Sequence, residues 1–233
     1  MPLFCGCQLV GHEMAFFDLC IEGTKGAGKT TTIAGLTERL VRSGCEVITC
    51  APFAEANRLA QSKGYASAKE MISASKSENQ AEIAFILETM AQAKISALQK
   101  AAAQDQPVIL IYDRGWMTVR PHLFGGRWYA EDRAASDTIT KTWSDVLEAA
   151  PPTAFLHASY EVTKERRPVP DTLGGLDTDE KLRQDVEGRR TFAQTHSDKI
   201  TFSFNSGEIS QDQIITRLAK YICARVDRDC VPS

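Results

Sequence analysis

An α/β domain, its parallel sheet covered by helices on both faces, is the fold class this sequence predicts, and three observations predict it. Five short apolar runs recur along the chain, at 15–21, 46–50, 108–112, 153–157 and 200–204, and runs of that length bounded by turn residues read as strands. Longer segments with apolar residues at helical spacing separate them, and that alternation favours parallel strands joined by crossover helices. Third, the first strand runs into Gly23-Thr24-Lys25-Gly26-Ala27-Gly28-Lys29-Thr30, which fits G-x-x-x-x-G-K-[ST]. That motif needs a strand before it and a helix after it, and both are present.

The elements follow in order. Ala15, Phe16, Phe17, Leu19, Cys20 and Ile21 form the first strand, and Thr31 to Arg42 the first helix, with Ile33, Leu36, Leu40 and Val41 on one face. Gly44 ends that helix, and Glu46 to Cys50 is the second strand. Pro52 and Phe53 open a loop, Ala54 to Lys63 is a short helix carrying Glu55 and Arg58, and a weaker one starts at Ser67. Residues 78–103 place Ile83, Ile86, Leu87, Met90, Ala93, Ile95 and Leu98 along a long amphipathic helix. Pro107 introduces Val108-Ile109-Leu110-Ile111-Tyr112, a strand apolar on both faces, ending at Asp113-Arg114-Gly115.

A glycine- and aromatic-bearing loop (121–129) and a helix (131–149) lead to Pro151-Pro152 and the fourth strand. Then come a basic helix (161–167), a loop rich in proline and glycine (168–177), a helix (179–195), the fifth strand and a last helix (211–226). The expected organisation is one domain over 15–226 with a lid segment at about 164–190, an N-terminal extension at 1–14 and a tail at 227–233. Met1 and Met14 both stand as candidate starts.

A chain of 233 residues suits one such domain with a full core. Its net charge of −3 and lack of a basic tail argue against nucleic acid as a bulk partner. Seven cysteines, an odd number with several in strands or helices, read as reduced core thiols; Cys5-Gly6-Cys7 lacks zinc spacing. No apolar run reaches membrane-spanning length, and the first thirteen residues carry no positive n-region or cleavage site, so a cytoplasmic protein is expected.

The glycine loop supplies the first chemistry. Glycines let several backbone N–H groups point at one phosphate chain, and the helix N-terminus adds positive potential. Gly23, Thr24, Lys25, Gly26, Ala27, Gly28, Lys29, Thr30 and Thr31 form a candidate nucleoside triphosphate site. Lys29 would reach the β- and γ-phosphates, and the Thr30 hydroxyl would hold Mg²⁺. The fold expected is that of a P-loop NTPase, a five-stranded parallel sheet with helices on both faces and a lid segment.

Two resemblances separate at this point. Lys25 to Thr32 resembles the deviant Walker motif of plasmid-partition and septum-site ATPases, where a lysine at the position of Lys25 touches a partner subunit's phosphates. That family also expects an Asp-x-Asp-like end to its second strand and a later Asp-x-x-Pro-Gly-like switch. Here the second strand ends Thr49-Cys50-Ala51-Pro52 and no such switch follows the third. More of the chain is similar to the thymidylate kinase and deoxynucleoside kinase group. Glu22-Gly23 before the loop, Tyr112-Asp113-Arg114 after the third strand, the long helix and the order of the last third all agree, over roughly residues 15 to 225.

This second resemblance implies ATP- and Mg²⁺-dependent phosphoryl transfer to a nucleoside monophosphate, or alternatively to a nucleoside or modified nucleotide. It implies that Asp113 and Thr30 serve the metal, that Arg114 holds the acceptor, and that Arg166 and Arg167 arrive with the lid. Arg183, Arg189 and Arg190 follow on the next helix, Asn205 is expected near adenine, and a homodimer through the long helix is implied by analogy. Three departures point to an altered acceptor pocket. Ala51-Pro52 replaces a Glu-Pro pair, the long helix lacks an arginine between Leu87 and Ala93, and Asp113-Arg114-Gly115-Trp116 replaces Asp-Arg-Tyr. Phe53, Glu55, Arg114, Trp116 and Arg120 are the residues expected to line it.

Overall fold

The computed structural model describes residues 16–68, 70–71, 80–104, 106, 108–115, 117–118, 151–167 and 178–226, with side chains except at 80–87. The extension, the 121–129 loop, the 131–149 helix, the 168–177 loop and the tail read from the sequence lie outside the described residues.

Five strands pair in one parallel sheet, β1 (Phe16–Gly23), β2 (Glu46–Cys50), β3 (Val108–Asp113), β4 (Thr153–His157) and β5 (Phe202–Asn205), in the order β2-β3-β1-β4-β5. The helices are α1 (Lys29–Arg42), α2 (Pro52–Ser62), α3 (Gln80–Ala102), α4 (Tyr160–Arg166), α5 (Asp179–Thr195) and α6 (Gln211–Cys223). β1 is central, and the chain winds from it first toward β2 and β3, then across to β4 and β5. Ligands of open α/β sheets bind beyond the carboxyl ends of strands where the winding reverses. The glycine loop leaves β1 there.

The period-2 geometry of a strand explains which residues lie where. Leu19, Ile21, Ile109, Ile111, Ala154, Leu156 and Phe204 face α1 and α6, which answer with Leu36, Leu40, Ile214, Leu218 and Ile222. The alternate residues Cys20, Leu110 and Tyr112, with Cys50, face Ala97 of α3, and Phe155 meets Ala193 of α5. Because both faces are covered, Ile109, Leu110 and Ile111 are each fully buried, as the unbroken apolar run required.

Local chemistry sets the element ends. α2 starts at Pro52, earlier than the sequence suggested, because proline's fixed φ suits a first helical position. α4 and α5 begin with Ser159 and Thr178 side chains accepting from Val162 and Lys181 N–H groups, and α6 with a full capping box of Ser210 and Gln213. Cys20, Cys45 and Cys50 are buried, as expected of core thiols, whereas Cys223 is disulfide-bonded. Counting cysteines gave no sign of that bond.

Candidate active site

α1 differs from the capped helices. It starts at Lys29 after Gly28 (φ 84°), with no side-chain cap and no acidic residue in its first turn. Its leading N–H groups are donors awaiting an acceptor, and the helix dipole makes that acceptor an anion. The loop ahead is fixed from outside. Gly23 has φ 146°, and a Cβ there would stand 1.8 Å from the Leu156 carbonyl oxygen. Thr24 N–H donates to that oxygen at 3.0 Å, and its hydroxyl accepts from Ala158 N–H at 3.2 Å. The Thr163 hydroxyl donates to Lys25 O at 3.3 Å, and Gln211 Nε2 donates to Gly28 O at 3.2 Å and to the Thr32 hydroxyl.

The loop borders a cavity of about 590 Å³. Among the described residues five basic side chains line it (Lys25, Lys29, Arg114, Arg166 and Arg167) against one carboxylate, Asp113, together with Gly26, Gly28, Thr30, Thr31 and Gln211. Lys29 is only 8 % exposed, and its Nζ donates to Gly23 O at 3.1 Å and Thr24 O at 2.7 Å. Burial lowers its pKa to about 7, helped by the nearby positive charges of Arg114 and Arg189. A bound polyphosphate would relieve that repulsion.

β3 delivers Asp113 and Arg114 to the opposite side. Asp113 pairs with Ile21 across the sheet, and Arg114 N–H donates to Ile21 O at 3.0 Å. Arg114 is the one non-glycine residue with positive φ (73°) among the described residues. Its guanidinium makes no hydrogen bond or ion pair among them, and lies 5.9 Å from the centre of the Phe53 ring. Burial, then Arg189, lowers its pKa, with Glu22 and Asp113 opposing. Glu22 itself is buried and accepts hydrogen bonds from Gly115 and Thr118.

The arginines of the last third divide by position. Arg166 Nη1 donates to Gly26 O at 3.2 Å and Ser206 Oγ at 3.0 Å, and Nη2 to Ser206 O at 2.7 Å, so it braces the loop against the turn after β5. Arg167 follows it on the cavity wall. On α5 the buried arginine is Arg189, held by Asp185 at 3.0 Å, while Arg183 lies over the Tyr160 ring at 4.7 Å.

Of the loop residues, Gly23, Thr24 and Ala27 are buried in its frame rather than on the cavity wall. The Asn205 amide donates to Glu208 at 2.6 Å and its oxygen accepts from Gly207 N–H at 3.1 Å, so it serves its own turn. Glu55 pairs with Arg58 and faces a separate groove of about 510 Å³ between β2 and α3, which Glu88, Gln92 and Lys100 also line. Trp116 and Arg120 lie outside the described residues. Reading the sequence for site residues did not single out Gln211 or the bonding role of Glu22, and it named Arg189 only together with Arg183 and Arg190. Glu22 alone left a signal, as a charge at the end of a buried apolar strand.

Thr30 and Asp113 line the same cavity, and the Asp113 carboxylate accepts no hydrogen bond among the described residues. No group of three or more His, Cys, Asp or Glu side chains gathers among them. One hydroxyl and one carboxylate fit Mg²⁺, which keeps waters and takes phosphate oxygens for its other positions.

No protein-family model and no curated protein matches this sequence. Solved structures do match in shape. Deoxyadenosine kinase from M. mycoides with bound dATP superposes with a TM-score of 0.55 at 17 % identity, over 88 % of this chain and 98 % of that one. The same enzyme with products dCMP and a flexible dCDP gives 0.55 at 15 % identity, over 89 % and 100 %. With bound dCTP it gives 0.55 at 14 %, over 88 % and 98 %. At such identities the likeness is one of fold. Sheet order, glycine loop and these neighbours agree on a single fold, that of the P-loop NTPases.

Proposed function

We propose that this protein is a Mg²⁺-dependent phosphotransferase that moves the γ-phosphoryl group of ATP to a nucleoside monophosphate or a nucleoside. The observation that carries the reading is the pairing, across one cavity, of an uncapped helix start with an acid and a guanidinium whose side chains make no hydrogen bond or ion pair among the described residues. The first is built for a polyphosphate. The second pair has no structural task that would account for it.

In this reading the N–H groups of residues 25–31 and the Lys29 ammonium hold the donor phosphates, and Arg114 orients the acceptor. The acceptor oxygen bonds to the γ-phosphorus as the bridge to the β-phosphate breaks, and ADP leaves. Thr30 and Asp113 would hold Mg²⁺, which when bound neutralises charge on the β- and γ-oxygens. Arg166 keeps the loop in shape, and Arg167 is the cation of that pair offered to the phosphates. Positioning of this kind, rather than covalent chemistry, accounts for most of the rate in such reactions.

Each acceptor has an observation in its favour. Arg114, a fork without an acid partner among the described residues, suits the phosphate of a monophosphate. The shape neighbours are deoxyadenosine kinases, whose name specifies a nucleoside. Labelled ATP and Mg²⁺ offered to a panel of nucleosides and nucleoside monophosphates tests both. Label on one acceptor establishes the class, and hydrolysis that no panel member accelerates would remove this reading in favour of a nucleotide-driven switch. A homodimer through α3 and a cytoplasmic location remain part of the proposal. Among the described residues no helix is long and apolar enough to cross a membrane.

A further inference from the structure

The turn that carries Arg114 is held from β1. Glu22, 1 % exposed, is the last residue before Gly23. Its Oε1 accepts from the N–H groups of Gly115 at 2.6 Å and Thr118 at 3.0 Å, and its Oε2 accepts from the Thr118 hydroxyl at 2.6 Å. One residue earlier, Ile21 O accepts from Arg114 N–H at 3.0 Å. One earlier again, Cys20 Sγ lies where a side chain on Gly115 would go, 2.9 Å from its Cβ position. Three consecutive residues of β1 therefore grip the turn from one side.

Arg114 sits between these anchors at φ 73°, a conformation that a side-chain-bearing residue keeps only when its surroundings over-determine it. A carboxylate is the side chain suited to the grip, since it offers only acceptor sites and charge-assisted bonds to several donors at once. A buried carboxylate is costly unless satisfied in this way. Among the described residues all three of its hydrogen bonds go to this turn and none to the glycine loop.

We infer that Glu22 is a positioning residue which, through Thr118 and Gly115, fixes the turn after β3 so that Arg114 presents its guanidinium to the nucleotide cavity. The inference deepens the phosphotransferase reading and rests on it for the role of Arg114. Since Gly23 is the next residue, one strand end sets both the phosphate loop and the acceptor clamp. The two substrates are registered against each other by β1 rather than by a moving part.

Thr118→Val tests this, since it removes the hydroxyl and nearly keeps the volume, and Thr118→Ser is the conservative rescue. The acceptor KM is expected to rise about tenfold in Thr118→Val, with kcat reduced and MgATP affinity within about twofold of the parent. Thr118→Ser should restore the parent values. Added to Arg114→Ala, Thr118→Val should change the acceptor parameters no further, because a residue acting through Arg114 has nothing left to act on. Multiplying effects in the double variant, or equal loss of MgATP binding in Thr118→Val alone, would overturn the inference.

A second measurement needs no acceptor. Modification of Arg114 by phenylglyoxal, followed by peptide mass spectrometry on the full folded chain, should run about fivefold or more faster in Thr118→Val and Glu22→Gln than in the parent. Unchanged labelling overturns the positioning role even if no acceptor is found. Changed labelling without any phosphoryl transfer upholds it and counts against the phosphotransferase reading alone.

Discussion

Lys29 carries a large electrostatic consequence for a single residue. Arg114 and Arg189 face it with like charge, Glu22 and Asp113 with opposite charge, and burial outweighs them all, leaving its pKa about 7 against an ordinary 10.5. Between those values the unfolded chain holds a proton that the folded one has released, so this residue's contribution to stability rises with pH across about 7 to 10.5. Polyphosphate binding runs the other way, because a bound anion favours the ammonium. Affinity should be highest below about pH 7 and fall by up to about tenfold per pH unit above it. Titration calorimetry at pH 8–9 in buffers of different ionisation heat should register uptake of close to one proton; no uptake would sink the account. Gly23 gives a steric prediction at the same scale. With φ 146° and a Cβ position 1.8 Å from Leu156 O, Gly23→Ala should cost on the order of 3 kcal/mol and abolish nucleotide binding. A denaturant midpoint equal to the parent's would refute that.

Among the elements, the helix starts separate scaffold from site. α4, α5 and α6 close their first turns with Ser159, Thr178 and Ser210, whereas α1 leaves its first turn open toward the cavity. α2 also lacks a side-chain cap, but it starts on Pro52, which has no N–H to satisfy, and carries Glu55 in its first turn, whereas α1 has neither. Ser210→Ala should cost about 1 kcal/mol and lower Tm by about 2–4 °C, measurable by calorimetry. α6 also reaches the loop through Gln211, and α1 through Arg39, which donates to Asp212 at 2.8 Å. These links make the closing helix a buttress of the glycine loop, a part its amphipathic pattern does not disclose.

Across the whole molecule, the strand order places β1 between β3 and β4, so each neighbour supplies a wall. β3 contributes Asp113 and Arg114, while β4 supports Gly23 and Thr24 and leads into Arg166 and Arg167. A ligand filling this cavity should stabilise the whole fold. At a hundred times its Kd, MgATP should add about 2.7 kcal/mol, raising Tm by about 5–10 °C. Lys29→Ala should remove most of that shift in scanning fluorimetry, and a full shift in the variant would show that the ligand binds elsewhere.

What the sequence determined by itself is local. β2, β4 and α5 fall on the expected 46–50, 153–157 and 179–195 because backbone conformation is written in residue spacing, capping chemistry and glycine placement. The glycine loop was legible for the same reason, its motif being a run of consecutive residues between a strand and a helix. Tertiary structure alone decided which distant side chains meet. Glu22 bonds to Gly115 and Thr118, 93 and 96 residues on, and Gln211 reaches Gly28 across 183. Arg189 rather than Arg183 turns inward, although both lie on α5. Such pairings follow from strand order, register and helix rotation, which are set by packing both faces of the sheet at once, and no short window of sequence contains that information.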